Sequence, residues 1–216
     1  MSKFQTLRVT EICRETPESV SILLKPVSGE SFSFLAGQFL TLLAKIDGED
    51  VRRSYSLCSS PSEGVLRVAV KEVPGGKFST FCNRMLVVGD TLESLPPDGR
   101  FTRDFDDSVK NHLAIAAGSG ITPILSMVKD VLASESSSTF TLIYGNKTVA
   151  DTIFKKELDA LKEENSERFN LHYVYSREQV EDSLFGRINK TNTNSFINST
   201  YKDTNFNAAY LCGPEE

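Results

Sequence analysis

A change of pattern near the middle of the chain does most to limit its fold. Before Pro96, short β-branched or aromatic runs recur at Leu7–Ile12, Val20–Leu24, Gln38–Leu43, Arg53–Cys58, Val65–Val70 and Thr91–Leu95. Turn formers separate them, such as Val27-Ser28-Gly29, Asp47-Gly48 and Pro61-Ser-Glu-Gly64. Strands at this spacing predict a closed antiparallel barrel or a sandwich. Gly76–Val87 departs from the alternation and sets Phe78, Phe81, Met85 and Leu86 at helical spacing, so a short helix is expected there. After the break the pattern becomes strand and helix by turns. Strands are expected at His112–Ala117, Phe140–Tyr144, Phe169–Tyr175 and Ala208–Cys212, with helices at Pro123–Ala133 and Ile153–Glu163. That alternation predicts parallel βαβ units. The boundary falls between Pro96-Pro97-Asp98-Gly99 and Ser108, which gives expected domains at 1–103 and 104–216 and a fold class of β followed by α/β.

Charge divides at the same place, with net +1 over residues 1–103 and −6 over 104–216. A chain that is 39% hydrophobic and 25% charged has the balance of a soluble globular protein. No apolar run approaches the roughly 20 residues of a bilayer span, and the N-terminus has no signal-peptide core. A net charge of −5 disfavours nucleic acid as a partner. Cys13, Cys58, Cys82 and Cys212 lie far apart without metal-ligand spacing. No metal site is therefore expected, and the thiols read as reduced cysteines of a cytoplasmic protein. His112 and His172 have no partner in motif spacing and are expected to be structural. Phe32, Phe34 and Phe39 read as barrel core, and the acid runs Asp104–Asp107 and Glu163-Glu164 as solvated surface.

Three segments carry chemistry. Ala116-Ala-Gly-Ser-Gly-Ile-Thr-Pro123 lies where an apolar strand passes into a helix. Glycines there allow a tight turn and close backbone approach to a ligand, and the helix N-terminus favours an anion. Thr122 is expected to cap the helix and Pro123 to open its first turn. Gly75-Gly-Lys-Phe-Ser79 is a second glycine-led helix start, with an ammonium at Lys77 and a hydroxyl at Ser79. Arg53-Ser-Tyr-Ser56 lies on a strand, and alternation puts Arg53 and Tyr55 on one face and Ser54 and Ser56 on the other. An arginine fork suits phosphate, and a tyrosine ring offers a plane for an aromatic cofactor. Taken singly, each segment also reads as an ordinary turn or strand face. Together they suit one nucleotide on the barrel and another on the α/β half.

In this order the motifs resemble those of the ferredoxin–NADP reductase superfamily. RxYS, GGxxS, GxGITP and CGP stand here as Arg53–Ser56, Gly75–Ser79, Gly118–Pro123 and Cys212–Pro214. The resemblance implies a six-stranded Greek-key barrel that binds FAD, followed by a Rossmann-like parallel sheet that binds the nicotinamide nucleotide. It implies that Arg53 holds the FAD pyrophosphate, that Tyr55 packs on the isoalloxazine and that Ser56 hydrogen-bonds near flavin N5. Gly76, Lys77, Phe78 and Ser79 would cradle the same pyrophosphate. Gly118, Gly120 and Thr122 would receive the nicotinamide nucleotide, and Cys212 would sit near the nicotinamide at the hydride-transfer point. Ser176-Arg177 follows the third parallel strand, where an arginine can pair with a 2′-phosphate. NADPH is thus favoured over NADH.

In local wording the chain is most similar to the reductase component of phenylacetate-degradation (phenylacetyl-CoA) oxygenases. There an SRE triplet, a GR element (here Gly186-Arg187) and CGPE precede a C-terminal [2Fe–2S] domain. That cluster needs C-x4-C-x2-C and a further Cys. The chain has no such run, so a [2Fe–2S] centre is expected only in a further C-terminal domain. A helix would ordinarily follow the Ala208–Cys212 strand, and the chain is accordingly expected to be truncated at its C-terminus. The implied function is a flavoprotein that passes electrons from NAD(P)H through FAD to an iron–sulfur centre or an oxygenase component. A non-catalytic flavin-binding electron-transfer subunit, or the reductase domain of another oxygenase or a flavohaemoglobin, is the alternative.

Overall fold

A computed structural model of the chain describes residues 4–103 and 108–214. The Asp104–Asp107 acid run and the final Glu215-Glu216 lie outside the described residues. Six antiparallel strands come first: β1 (Gln5–Thr16), β2 (Ser19–Pro26), β3 (Phe39–Ile46), β4 (Glu49–Ser56), β5 (Leu66–Lys71) and β6 (Thr91–Ser94). Their order is β4-β3-β6-β1-β2-β5. The ends of that order meet at an antiparallel bridge between Leu57 and Val68, which closes the sheet into a barrel. Alternation turns Leu7, Val9, Ile22, Leu24, Leu40, Leu42, Val68 and Val70 inward, all 1% exposed or less. Helix α1 (Lys77–Arg84) plugs one end with Phe78, Cys82 and the following Leu86. Phe32 and Phe34 pack at the rim of this core and Phe39 is half-buried, so none of the three is the interior residue expected.

The second sheet is parallel throughout. Its strands are β7 (Asn111–Ala117), β8 (Thr139–Asn146), β9 (Phe169–Tyr175), β10 (Leu184–Phe185) and β11 (Ala208–Cys212), in the order β10-β9-β8-β7-β11. Helix α2 (Ile121–Ser134) and helix α3 (Lys155–Glu164) pack on one face through Ile124, Leu125, Val128 and Leu158. Helix α4 (Lys190–Thr200) packs on the other through Phe196 and Ile197 against Leu113, Ile143 and Val174. The chain runs from β7 outward to β10 and then returns to the far side of β7, which makes the β7–β11 gap a topological switch point. The 14 residues of α2 begin two positions before the helix expected at Pro123. Thr122 does not cap it. Its hydroxyl lies inside the first turn and donates to the Ser119 carbonyl at 3.0 Å.

The two sheets are joined through α2. Ala36, Cys58 and Ala69 from the barrel belong to the same apolar cluster as Ile121, Leu125 and Val128. The Ser126 hydroxyl, fully buried, donates to the Ser59 carbonyl at 2.6 Å. Gly37 has φ +97°, and a Cβ there would lie 2.0 Å from the Phe101 carbonyl oxygen and 2.5 Å from Met127 Cε of α2. Behind this contact Arg67 of the barrel donates to Glu157 of α3 at 2.8 Å and to Glu15 at 2.9 Å. Gly37→Ala therefore combines a backbone clash with a left-handed φ, and should lower unfolding stability in urea by about 2–4 kcal/mol.

His112 and His172 are both structural in placement. His172 lies beneath α4, with Nε2 2.6 Å from the Tyr201 hydroxyl. His112 stacks on Phe140 and Tyr210, with Nε2 3.2 Å from Glu135. Burial pushes the His112 imidazole below its ordinary range, and the Glu135 hydrogen bond offsets this only in part. The unfolded chain then takes up the proton more readily than the folded one. Stability is full above the unfolded value of about 6.5 and falls as pH drops below it. Replacing His112 with Phe, which keeps the ring stack, should flatten that acid-side loss in a series of urea titrations from pH 7.5 to about 5.

Candidate functional site

A cleft of about 1180 Å³ opens between the barrel and the carboxyl ends of the parallel strands. Its barrel wall is built by the end of β4, the end of β5 and the start of α1. Arg53, Ser54, Tyr55 and Ser56 all line it, and the division of that run into two faces holds: Arg53 and Tyr55 stand opposite the inward Leu42 and Leu40 of β3, while Ser54 stands opposite Thr41, their hydroxyl oxygens 3.1 Å apart. The run reaches the cleft where β4 approaches the bridge to β5 that closes the barrel, between Leu57 and Val68. Tyr55 rests on Phe78, with ring centroids 5.6 Å apart, and Phe78 is 1% exposed. Burial raises the Tyr55 hydroxyl well above its ordinary range, so it stays protonated.

The Gly75–Ser79 turn is tied together by its own serine. Ser79 Oγ accepts from the Val73 N–H at 3.2 Å and donates to the Gly76 carbonyl at 3.1 Å. A Cβ on Gly76 would stand 2.5 Å from both Ser79 Oγ and Val73 Cγ2, so a side chain here would displace the serine that ties the turn together. Gly76, Phe78 and Ser79 line the cleft. Lys77 is not part of the lining: its ammonium pairs with Glu49 of β4 at 2.5 Å. Sequence spacing gives no hint of that partner, which comes from a strand end brought alongside the helix by the barrel.

The opposite wall is the switch point. Gly118, Ser119 and Gly120 form one 3-10 turn that runs straight into α2. The two glycines serve different needs. Gly118 has φ +54° with open space where a Cβ would be, so backbone conformation alone requires glycine. At Gly120 a Cβ would lie 2.2 Å from the Cys212 carbonyl oxygen and 2.9 Å from the Gly213 nitrogen, so it is the close approach of the β11 end that requires it. Thr122 and Cys212 complete this wall, and burial keeps the Cys212 thiol above its ordinary pKa and hence neutral.

The far rim of the cleft is cationic. Backbone bonds from Ser176 N to Asn146 O (3.0 Å) and from Arg177 N to Lys147 O (2.9 Å) lock the ends of β8 and β9 together. Ser176, Arg177, Lys147, Arg187 and Lys190 all reach the lining there. With Arg53 and Lys71 on the barrel side, the lining holds six basic side chains against one acid, Asp151. This reverses the sign of the whole chain, whose net charge is −5. Sequence reading missed Lys71, Lys147 and Lys190, which belong to separate segments with no shared motif. Asn189, Thr193 and Asn194 around the α4 start also line the cleft and were likewise missed. Among the described residues no helix is long and apolar enough to cross a membrane, and no cluster of His, Cys, Asp or Glu could hold a metal ion.

Comparison with known proteins agrees with this two-walled architecture. An oxidoreductase FAD-binding domain family matches residues 8–102, and an oxidoreductase NAD-binding domain family matches residues 114–216. The chain is 38% identical over 219 residues to one of the subunits of 1,2-phenylacetyl-CoA epoxidase from Escherichia coli K12, covering 99% of this chain and 61% of that protein. It is 36% identical to ferredoxin–NADP reductase B of Sorangium cellulosum, over 69% of this chain and 60% of the relative. The chain thus spans about three fifths of the length of these curated relatives. A ferredoxin–NADP+ reductase from Neisseria gonorrhoeae, solved with FAD and NADP, has the same fold at TM-score 0.81 and 22% identity, covering 98% of this chain and 85% of that one. The two family matches, in that order on a barrel and a parallel sheet, place this chain in the ferredoxin–NADP reductase family of FAD- and NAD(P)-binding oxidoreductases.

Proposed function

We propose that the chain is a reductase module that takes hydride from NAD(P)H and passes electrons singly to a protein acceptor. Its domains divide at 1–103 for the flavin and 104–216 for the nicotinamide nucleotide. The observation that carries this reading is the single cleft that joins Arg53, Tyr55 and Gly76 on one wall to Gly118, Cys212 and Arg177 on the other. Its basic lining suits two pyrophosphates, and the open space at Gly118 leaves room for close backbone approach, so the residues present fit both dinucleotides. FAD, when bound, supplies the conversion of one hydride into two single-electron transfers.

The work of the protein is alignment and exclusion. Arg53 offers its guanidinium to the flavin pyrophosphate, Tyr55 gives a ring face backed by Phe78, and Ser56 offers a hydroxyl to the reacting edge. Cys212, neutral and half-buried, stands across the cleft as an uncharged wall for the nicotinamide. Ser176 and Arg177 take the adenosine end, where Arg177 favours a 2′-phosphate. No step needs a side chain with a strongly acidic or basic pKa. The likeness to an epoxidase component over nearly all of this chain supports an oxygenase component or an iron–sulfur domain as acceptor, in phenylacetate degradation. The four free cysteines support the cytoplasm as its compartment.

The test is a visible spectrum of FAD-supplemented protein before and after anaerobic NADPH, and then NADH. Bound flavin that bleaches, faster with NADPH, is the expected result, and Arg177→Ala should cut that preference about tenfold. Flavin that binds but does not bleach would mark a non-catalytic binding module, and a protein that holds no flavin would overturn the reading. Arg53→Ala and Tyr55→Ala should each lose flavin on desalting. Lys77→Ala should retain it as wild type does, since that ammonium is occupied by Glu49.

A further inference from the structure

The glycine turn at the switch point is held from behind by hydroxyl groups. Tyr144 of β8 is fully buried, and its hydroxyl donates to the Gly118 carbonyl at 3.0 Å. Thr122 donates to the next carbonyl, that of Ser119, at 3.0 Å. The Ile121 N–H also points to these same two oxygens. Both carbonyls at the head of the turn are therefore drawn onto donors within the protein.

This matters because of what a glycine permits. Gly118, in a left-handed conformation with nothing packed where a Cβ would be, has little of its own to fix its peptide orientation. A carbonyl oxygen turned toward the cleft would present partial negative charge to a phosphate. A carbonyl held inward leaves that end of the turn to its N–H groups, the first of which have no acceptor within a helix. We infer that Tyr144 is a positioning residue for the nicotinamide nucleotide. Through its hydroxyl it fixes the Gly118 peptide in the anion-accepting orientation, and Thr122 does the same for the Ser119 peptide. The inference rests on the nucleotide occupying this turn, as proposed above, and assigns a task to a side chain that touches no ligand.

The decisive comparison uses two tyrosines of the same sheet. Tyr173 of β9 also donates a hydroxyl bond, to Asp159 of α3 at 2.8 Å, and like Tyr144 stands outside the cleft lining, but its acceptor is no part of the glycine turn. FAD-loaded wild type, Tyr144→Phe and Tyr173→Phe are titrated calorimetrically with NADP+, and each is assayed for kcat and KM with NADPH. Tyr144→Phe should weaken NADP+ binding and raise KM about five- to tenfold with kcat little changed and flavin retained, whereas Tyr173→Phe should keep the wild-type affinity. Thr122→Val should shift affinity in the same direction and Thr122→Ser, which keeps the hydroxyl, should restore it; this pair decides the matter if Tyr144→Phe does not fold. Wild-type affinity in Tyr144→Phe, or an equal loss in Tyr173→Phe, would overturn the inference while leaving the nucleotide site intact. Absence of NADP+ binding by the wild type would instead overturn the nucleotide reading on which it rests.

Discussion

The junction between α2 and the barrel sets the geometry on which the cleft depends. The two cleft walls belong to different sheets, so their separation is only as well defined as the contact between those sheets. That contact is close-packed and small-sided: Ala36, Gly37, Cys58 and Ala69 let the helix lie directly on the barrel. The buried Ser126–Ser59 hydrogen bond adds a direction to a contact that apolar packing alone would leave free to slide. Because α2 starts at the glycine turn, the same helix that seats on the barrel also carries the turn into place. A shift of α2 by a fraction of an ångström would therefore move the Gly118 wall relative to Tyr55 and Arg53.

The second constraint is electrostatic. An acidic chain gathers its basic groups along one concave surface, drawn from β4, β5, the ends of β8 and β9, and the start of α4. Low-dielectric walls concentrate the field of such a lining, so polyanions approaching from solution are drawn to the cleft despite the unfavourable overall charge. The neutral Tyr55 and Cys212 give the same cleft uncharged lining on both of its walls. Surplus charge and neutral surface are thus kept apart within a single cavity.

Most of the frame was legible because the sequence periodicities are strong. The six barrel strands and four of the parallel ones announce themselves through alternation or apolar runs, and the glycine turn through its place between strand and helix. What escaped was of two kinds. Helix α4 is written Lys-Thr-Asn-Thr-Asn-Ser-Phe-Ile-Asn-Ser-Thr, residues that favour turns and caps over helix interiors, and it forms because Phe196 and Ile197 find an apolar sheet face. The two-residue β10 is likewise fixed by its neighbour β9 and not by its own composition. Other features exist only after folding: the Glu49 partner of Lys77, the basic rim assembled from separate segments, and the Tyr144 hydroxyl that sits in an otherwise apolar run. Thr122 was legible as a hydroxyl at a helix start, but whether it would accept from an N–H or donate to a carbonyl depended on where the helix began.

Helix α4 has one more consequence. With its cap residue it forms part of the cleft wall through Asn189, Lys190, Thr193 and Asn194, yet none of its residues is buried. Its hold on the sheet is therefore among the weakest in the molecule, and its amides belong to the low-stability end of the local-opening spectrum. One side of the cavity is backed by the buried core of α2 and the barrel, while the other rests on a helix held through partly buried rings and chains, chiefly Phe196 and Ile197. A ligand that engages both sides therefore leans on one wall fixed by close packing and on another held by a thin apolar seam, and whatever order it imposes on the second is subtracted from the affinity its contacts there supply.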